Sequence, residues 1–279
     1  MHSLIIPDKK YSDVFNACIS KEGRLVKSKF LKGFTKLNMV VNAYDDYMLA
    51  KKGHEIDGCK DDEFPPLSLV DLKWLYDRRL SRIAPGRNYY DEFLLRSKNK
   101  GCCFCSYGEP VELDHFLPKS RYAQFAIHPN NLVPVCSNCN RLKGAYWPKS
   151  GKENLIHPFF ENYDTAVWLH TRLEYPGDTP VAIFYVKSDQ LDVDSVTRIE
   201  RHCIQIKLFE RYTTQANREL NARCYKFKET YKQRGKKGLK EDILEEVESR
   251  ERFHLNSWQS ALYRCLAIDD RFLTANWEL

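Results

Sequence analysis

Asp114 and His115 stand side by side in the run ELDHFLPKSRY, with Lys119 and Arg121 close behind. An acid and an imidazole at the end of what reads as a short strand can hold a metal ion and take a proton from water. The basic residues can receive a phosphate. On either side lie two C-x-x-C pairs, Cys102 with Cys105 and Cys136 with Cys139. Each pair can set two thiolates on one side of a tight knuckle, which suits tetrahedral zinc. Two disulfides or a redox C-x-x-C are the alternatives. The opening MHSLIIPDKKYSD is too short and too quickly charged for a secretory signal, so two matched pairs favour structural Zn2+. Cys103 is then a spare thiol, because register makes Cys102 the better ligand.

A metal at the four cysteines would pin together the ends of a segment of about thirty residues. Asp114 and His115 lie some nine residues past the first pair, and Asn140 follows the second pair at once, in the first turn of an expected helix. The staple is therefore expected to bring a strand end near a helix N-terminus, where Asp114, His115 and Asn140 could converge. A carboxylate and an amide oxygen are hard ligands, suited to Mg2+ or Mn2+ rather than to a second zinc. Arg141 and Lys143 extend the basic set expected to contact phosphate, beside Lys119 and Arg121. The plainer alternatives are a turn aspartate, a satisfied surface histidine and a solvated basic patch.

These residues need elements to position them. The sequence divides into an N-terminal helical region (1–100), a cysteine-rich module (101–148) and a mostly helical C-terminal region with a short strand (149–279). In the first, YSDVFNACIS and LVKSKFLKGFTKLNMVVNAYDDYMLAKKG carry apolar residues at three- and four-residue intervals. Ser68 and Asp71 have capping-box spacing ahead of a new helix, and PGRNYYDEFLLRS restarts after Pro85. In the last region VAIFYV reads as a strand, and helices run from about Asp192 to Asn276. QRGKKGLK reads as an exposed loop between them, with DNA contact as the lesser alternative. His128 reads as a loop residue; His157, in NLIHPFF, fits a place near the site or a core role. Trp168, Phe184, Tyr185, Trp258, Tyr263 and Trp277 read as core. The fold class expected is mainly α with a small α+β core.

With 279 residues, 43% of them apolar, the chain can bury a real core, and its net charge of +6 permits a polyanionic partner without requiring one. No apolar run approaches the roughly 20 residues of a membrane span. A soluble cytoplasmic protein is expected, in which the scattered cysteines outside the window are small buried hydrophobes.

The window resembles the HNH, or ββα-metal, endonucleases, in the branch built on a four-cysteine zinc site. The matching pieces are CCFC, LDHFLPKS, NNLVPVC and CNRLKG, and the match covers a stretch of about fifty residues. The resemblance implies that His115 is the general base and that Asp114 and Asn140 bind one catalytic divalent ion. It implies that Asn131 braces the loop so that a backbone carbonyl can orient His115. Phosphodiester hydrolysis would leave a 5′-phosphate and a 3′-hydroxyl. Asn140 stands where the family has its last histidine, which shifts the expected ion toward Mg2+ or Mn2+ and leaves His115 as the evident base. The flanks, NLIHPFF with a following Trp and NSWQSALYRCL, resemble the nuclease subunit of Septu-type anti-phage systems, which works beside an ABC-type ATPase. That resemblance implies an ATPase partner from the same operon and helical docking surfaces. Three classes follow: a metal-dependent DNA endonuclease of antiviral defence, an RNA- or tRNA-cutting toxin, and a zinc-stapled nucleic-acid reader without catalysis. One site per chain makes a double-strand break a task for two copies or two events.

Overall fold

The computed structural model describes residues 1–97 and 99–276. It is about 53% helical, with two small antiparallel sheets, so the mainly α class with a small β core holds. No helix among the described residues is long and apolar enough to cross a membrane. The chain forms two compact units, Met1–Asn162 and the segment from Tyr163 onward. The N-terminal helices and the cysteine window, read from sequence as separate regions, pack within one of these units.

In the first unit the apolar periodicity becomes α1 (Tyr11–Ile19), α2 (Arg24–Val41) and α3 (Tyr44–Leu49), with a break at Asn42 and Ala43. Phe15, Phe30, Leu37 and Tyr44 are buried on their inner faces. Helix α4 (Leu69–Trp74) starts at the expected capping box: Ser68 Oγ accepts from the Asp71 N–H at 3.3 Å, and Asp71 Oδ2 accepts from the Ser68 N–H at 2.9 Å. It runs on as a π-helical stretch, Leu75–Leu80, before α5 (Gly86–Leu95). Strands β1 (Glu112–His115) and β2 (Leu132–Val135) pair antiparallel, with Asp114 opposite Val133 and His115 opposite Leu132. Helix α6 (Ser137–Lys143) follows immediately. Every residue of β2 is buried, as a strand covered on both faces must be.

The second unit pairs β3 (Leu169–Glu174) with β4 (Val181–Val186), the VAIFYV strand; the partner strand was not read from sequence. Helices α7 (Val193–Gln205), α8 (Leu208–Phe253), α9 (Trp258–Leu266) and α10 (Asp270–Leu273) follow. The loop expected at QRGKKGLK is instead a break at one residue of α8: Gly235, at φ 65°, is the non-helical point. Only a residue without Cβ adopts that backbone cheaply. The ion pair of Arg223 with Glu246 at 2.7 Å and the bond of Thr230 to Asp242 at 3.3 Å show α8 folding back on itself there as a helical hairpin. Trp168, Phe184, Trp258 and Tyr263 are buried as expected. Tyr185 is not: it is half-exposed and stacks on His170 across the strand pair at 5.6 Å. Trp277 lies outside the described residues.

Candidate metal centre and active site

Cys102, Cys105, Cys136 and Cys139 are all buried, and their sulfurs lie within 4.8 Å of one another. Cys103 is also buried but does not join them. The local chain makes the knuckles. Ser106 N–H donates to the Cys102 carbonyl at 2.7 Å, and Cys102 N–H to the Gly108 carbonyl at 2.7 Å. A side chain at Gly108 would place its Cβ 2.8 Å from Cys136 Sγ, so a glycine is required against the cluster. In the second knuckle Cys136 caps α6, its sulfur accepting from the Cys139 N–H at 3.5 Å.

A tetrahedral Zn2+ with Zn–S bonds of about 2.3 Å has S–S edges of about 3.8 Å; Cys105 and Cys136 stand 3.9 Å apart, sulfur to sulfur. Crowding splits the four buried thiols: burial, with hydrogen bonding to the other three, pushes Cys102 well above the ordinary thiol range, and Cys139 is also held up. Hydrogen bonding from Cys102 brings Cys105 down to about 6, and the same kind of contact holds Cys136 far below the ordinary thiol range. The four cysteines are therefore positioned to bind a metal ion, and the all-sulfur donor set is compatible with zinc.

The cysteine cluster lies next to β1 and α6, with Cys136 capping α6. Alternation along β1 sends Glu112 and Asp114 to one face. From α6, Ser137, Asn140 and Lys143 meet them at three-residue spacing. Asn140 donates its amide N–H to Glu112 Oε2, and Ser137 donates its hydroxyl to Glu112 Oε1. Lys143 Nζ lies 3.0 Å from Asp114 Oδ2 and donates to the His115 carbonyl at 2.7 Å. Burial pushes the Asp114 carboxyl up, against the pull of Lys143. Since Glu112 takes the Asn140 amide nitrogen, the amide oxygen is left to face elsewhere. The oxygens of Asp114 and Asn140, with Glu112 beside them, fit a hard divalent ion better than a soft one.

His115 turns the other way. Its Nε2 lies 2.9 Å from the Ala126 carbonyl oxygen, and the Tyr76 ring packs against it edge-on at 4.3 Å. The neutral ring thus carries its proton on Nε2, and Nδ1 keeps the lone pair. Burial, aided by the nearby charges of Lys119 and Lys143, brings its pKa down to about 3 against the Ala126 bond. Asn131 lies behind, wholly buried. Its Oδ1 accepts from the Leu117 N–H at 2.7 Å, and its Nδ2 donates to the Leu117 and Phe125 carbonyls at 3.1 Å each. The loop from Leu117 to Ala126 is therefore tied down at both ends.

The chain is 26% identical to "Protein ea31" of Escherichia phage lambda over 98% of its own length and 99% of the relative's. It is 35% identical to the "Septu protein PtuB" of Bacillus thuringiensis over 78 residues, 26% of this chain and 30% of that protein. The second likeness thus spans less than a third of the relative. No family model matches the chain, and no solved structure matches it.

The basic residues divide. Arg121 is exposed, its guanidinium 4.7 Å from the Trp147 ring centre, and Arg141 is exposed on α6, bonded to Asn138 at 3.0 Å. Lys119 pairs with Asp77 and lies over the Tyr76 ring at 4.8 Å. Lys143, read from sequence as a phosphate contact, has a fully buried side chain committed to Asp114 and the His115 carbonyl. It lies on the inner face of α6 because it follows Asn140 by three residues, one turn along the same face. His128 is a turn residue as expected: Nδ1 accepts from the Asn130 N–H at 3.2 Å and caps the turn Pro129–Asn131. Glu112 and Tyr76 were missed. Glu112 could have been found from its i,i+2 spacing to Asp114; Tyr76 belongs to a distant helix and left no local signal.

Proposed function

We propose that the chain is a metal-dependent endonuclease of the HNH type, hydrolysing DNA phosphodiester bonds to 5′-phosphate and 3′-hydroxyl ends. The observation that carries this is the arrangement of β1, β2 and α6 around four metal-ready cysteines, with His115 held by a backbone carbonyl on one side and Asp114 and Asn140 on the other. Zn2+ at the cysteines would be structural. A Mg2+ or Mn2+ held by Asp114 and Asn140 would supply Lewis-acid stabilisation of negative charge on the phosphate. The protein's own groups do the rest. His115 Nδ1 takes a proton from water, because the Ala126 carbonyl holds the ring's own proton on Nε2 and leaves Nδ1 with its lone pair. Arg121 and Arg141 hold the phosphate backbone, Lys119 does so from its pairing with Asp77, and Lys143 keeps Asp114 ionised and in place.

The partial likeness to a Septu protein supports a defence-related nuclease working with a partner ATPase. The full-length likeness to a lambda protein favours a second setting, the same chemistry carried by a phage or mobile element. An ATPase gene beside this one, and its product co-purifying, would separate the two.

The test is incubation of purified protein with supercoiled plasmid in Mg2+, Mn2+ or EDTA, beside His115→Ala. Metal-dependent nicking should fall by about 10²–10⁴-fold in the variant, with DNA affinity unchanged. Cleavage at the full rate by the alanine variant would overturn the assigned base; cleavage of RNA alone would move the substrate to the toxin class.

A further inference from the structure

His157 lies outside the cysteine window, and Tyr44 is far earlier in the chain, yet both reach Asn131. Tyr44 donates its hydroxyl to Asn131 Oδ1 at 2.9 Å, and His157 Nε2 lies 3.2 Å from the Tyr44 oxygen. The direction of this chain is decided. His157 Nδ1 already accepts from the Phe159 N–H at 3.2 Å, so the neutral ring carries its proton on Nε2 and donates it, to Tyr44 and to the Asn130 backbone. All three side chains are buried. The His157 ring also packs on Phe116, the residue after His115, at 4.0 Å, and Tyr44 packs on His128 at 4.5 Å. With Tyr44 in place, Asn131 makes four hydrogen bonds, two accepted and two donated, the full capacity of a carboxamide.

We propose that Tyr44 and His157 are positioning residues for the nuclease site. The hydroxyl fixes which way the Asn131 amide faces. The amide then holds the Leu117 and Phe125 backbone, and with it the Ala126 carbonyl that orients His115. Without the hydroxyl, Asn131 Oδ1 keeps one donor, the His157 N–H loses an acceptor, and the loop gains freedom at the point where it holds the base. A helix from the N-terminal part of the unit therefore sets the precision of a site built by the cysteine window. The inference rests on the reading of His115 as the base.

Tyr44→Phe tests it, with Tyr11→Phe as control. Tyr11 packs on His128 in the same aromatic cluster, but its buried hydroxyl has no hydrogen-bond partner among the described residues. Tyr44→Phe is expected to lower kcat by about tenfold, the scale of one buried hydrogen bond, with KM for the nucleic acid unchanged; Tyr11→Phe should leave both alone. His157→Gln, whose amide can still donate to Tyr44, should retain more activity than His157→Phe. The nitrogen-15 and proton resonances of the His115 imidazole give a readout that does not need turnover, and the Nε2–H signal should move in Tyr44→Phe. An unmoved signal with an undiminished kcat would overturn the proposal, and so would an equal loss in the Tyr11 control. If the native protein cuts nothing, the nuclease reading fails, while the His115 resonances still decide whether Tyr44 holds the ring.

Discussion

The cysteine window and the C-terminal unit are held by different means. In the window, polar groups are buried and matched: Asp114 with Lys143, Asn131 with the Leu117 and Phe125 backbone, His115 with Ala126. In the C-terminal unit, the interior holds Trp168, Leu169, Tyr212, Leu220, Leu239 and Leu262, and many charged residues form ion pairs on the outside, such as Arg252 with Glu248. Arg198, His202, Asn256 and Ser260 are among its buried polar side chains; Asn256 accepts from the Trp168 and Leu169 N–H groups and donates to the Ala166 carbonyl, pinning the start of β3. Burying a polar group is costly unless it is paired. Apolar packing alone would position helices at lower cost, so a dense buried polar network marks where particular atoms must be held in place. Such matched buried groups are denser in the cysteine window than in the second unit.

The largest break in this comparison should come from Cys136→Ser. The residue supplies both a candidate metal ligand and the cap of α6, so its loss should abolish bound zinc and unfold the window. Zinc content of the purified variant and its thermal unfolding check this; an unchanged one-to-one zinc content would contradict the assignment. Next is Lys143→Met, which removes the partner of a buried carboxylate and leaves the packing volume nearly intact. Breaking such a pair costs on the order of 3 kcal/mol or more, so denaturant unfolding of the first unit should shift clearly, and added Mn2+ should restore the variant more than it stabilises the native protein. An unshifted midpoint would mean that Asp114 does not depend on Lys143. The smallest effect should be Arg252→Ala. Its side chain is 79% exposed, and its pair with Glu248 sits on the surface of α8. Exposed i,i+4 pairs contribute little, so the thermal midpoint should not resolvably move. A large drop would show that the ion pairs of the second unit do more than cover its surface.

Part of the first unit was legible because the features that shape it are local. The C-x-x-C pairs, the Asp114–His115 step and the Ser68 capping box each depend on neighbours within a few residues, where chain geometry alone sets distance. The register of Cys102 against Cys105 followed from the same rule, and so did the helix starting at the second knuckle. The role of Lys143 did not: a lysine two residues after Arg141 looks like another exposed cation until the inner face of α6 is known. The hairpin in α8 was hidden for a similar reason. A glycine among lysines reads as loop, and only the pairing of Arg223 with Glu246 shows that two helices meet there.

What the sequence by itself determined is the four-thiol cluster and the list of candidate site residues, an aspartate beside a histidine and two asparagines at fixed offsets, in a chain that is mainly helical with a small β core. What only the tertiary structure decided is how those groups are held. Tyr44 and His157 reach Asn131 from 87 residues before it and, through Tyr44, from 26 residues after it. Tyr76 packs on His115 from another helix, and Lys143 turns inward to Asp114. Such contacts depend on which faces of distant elements are buried together. That is settled by the packing of the whole core, and no short stretch of sequence encodes it.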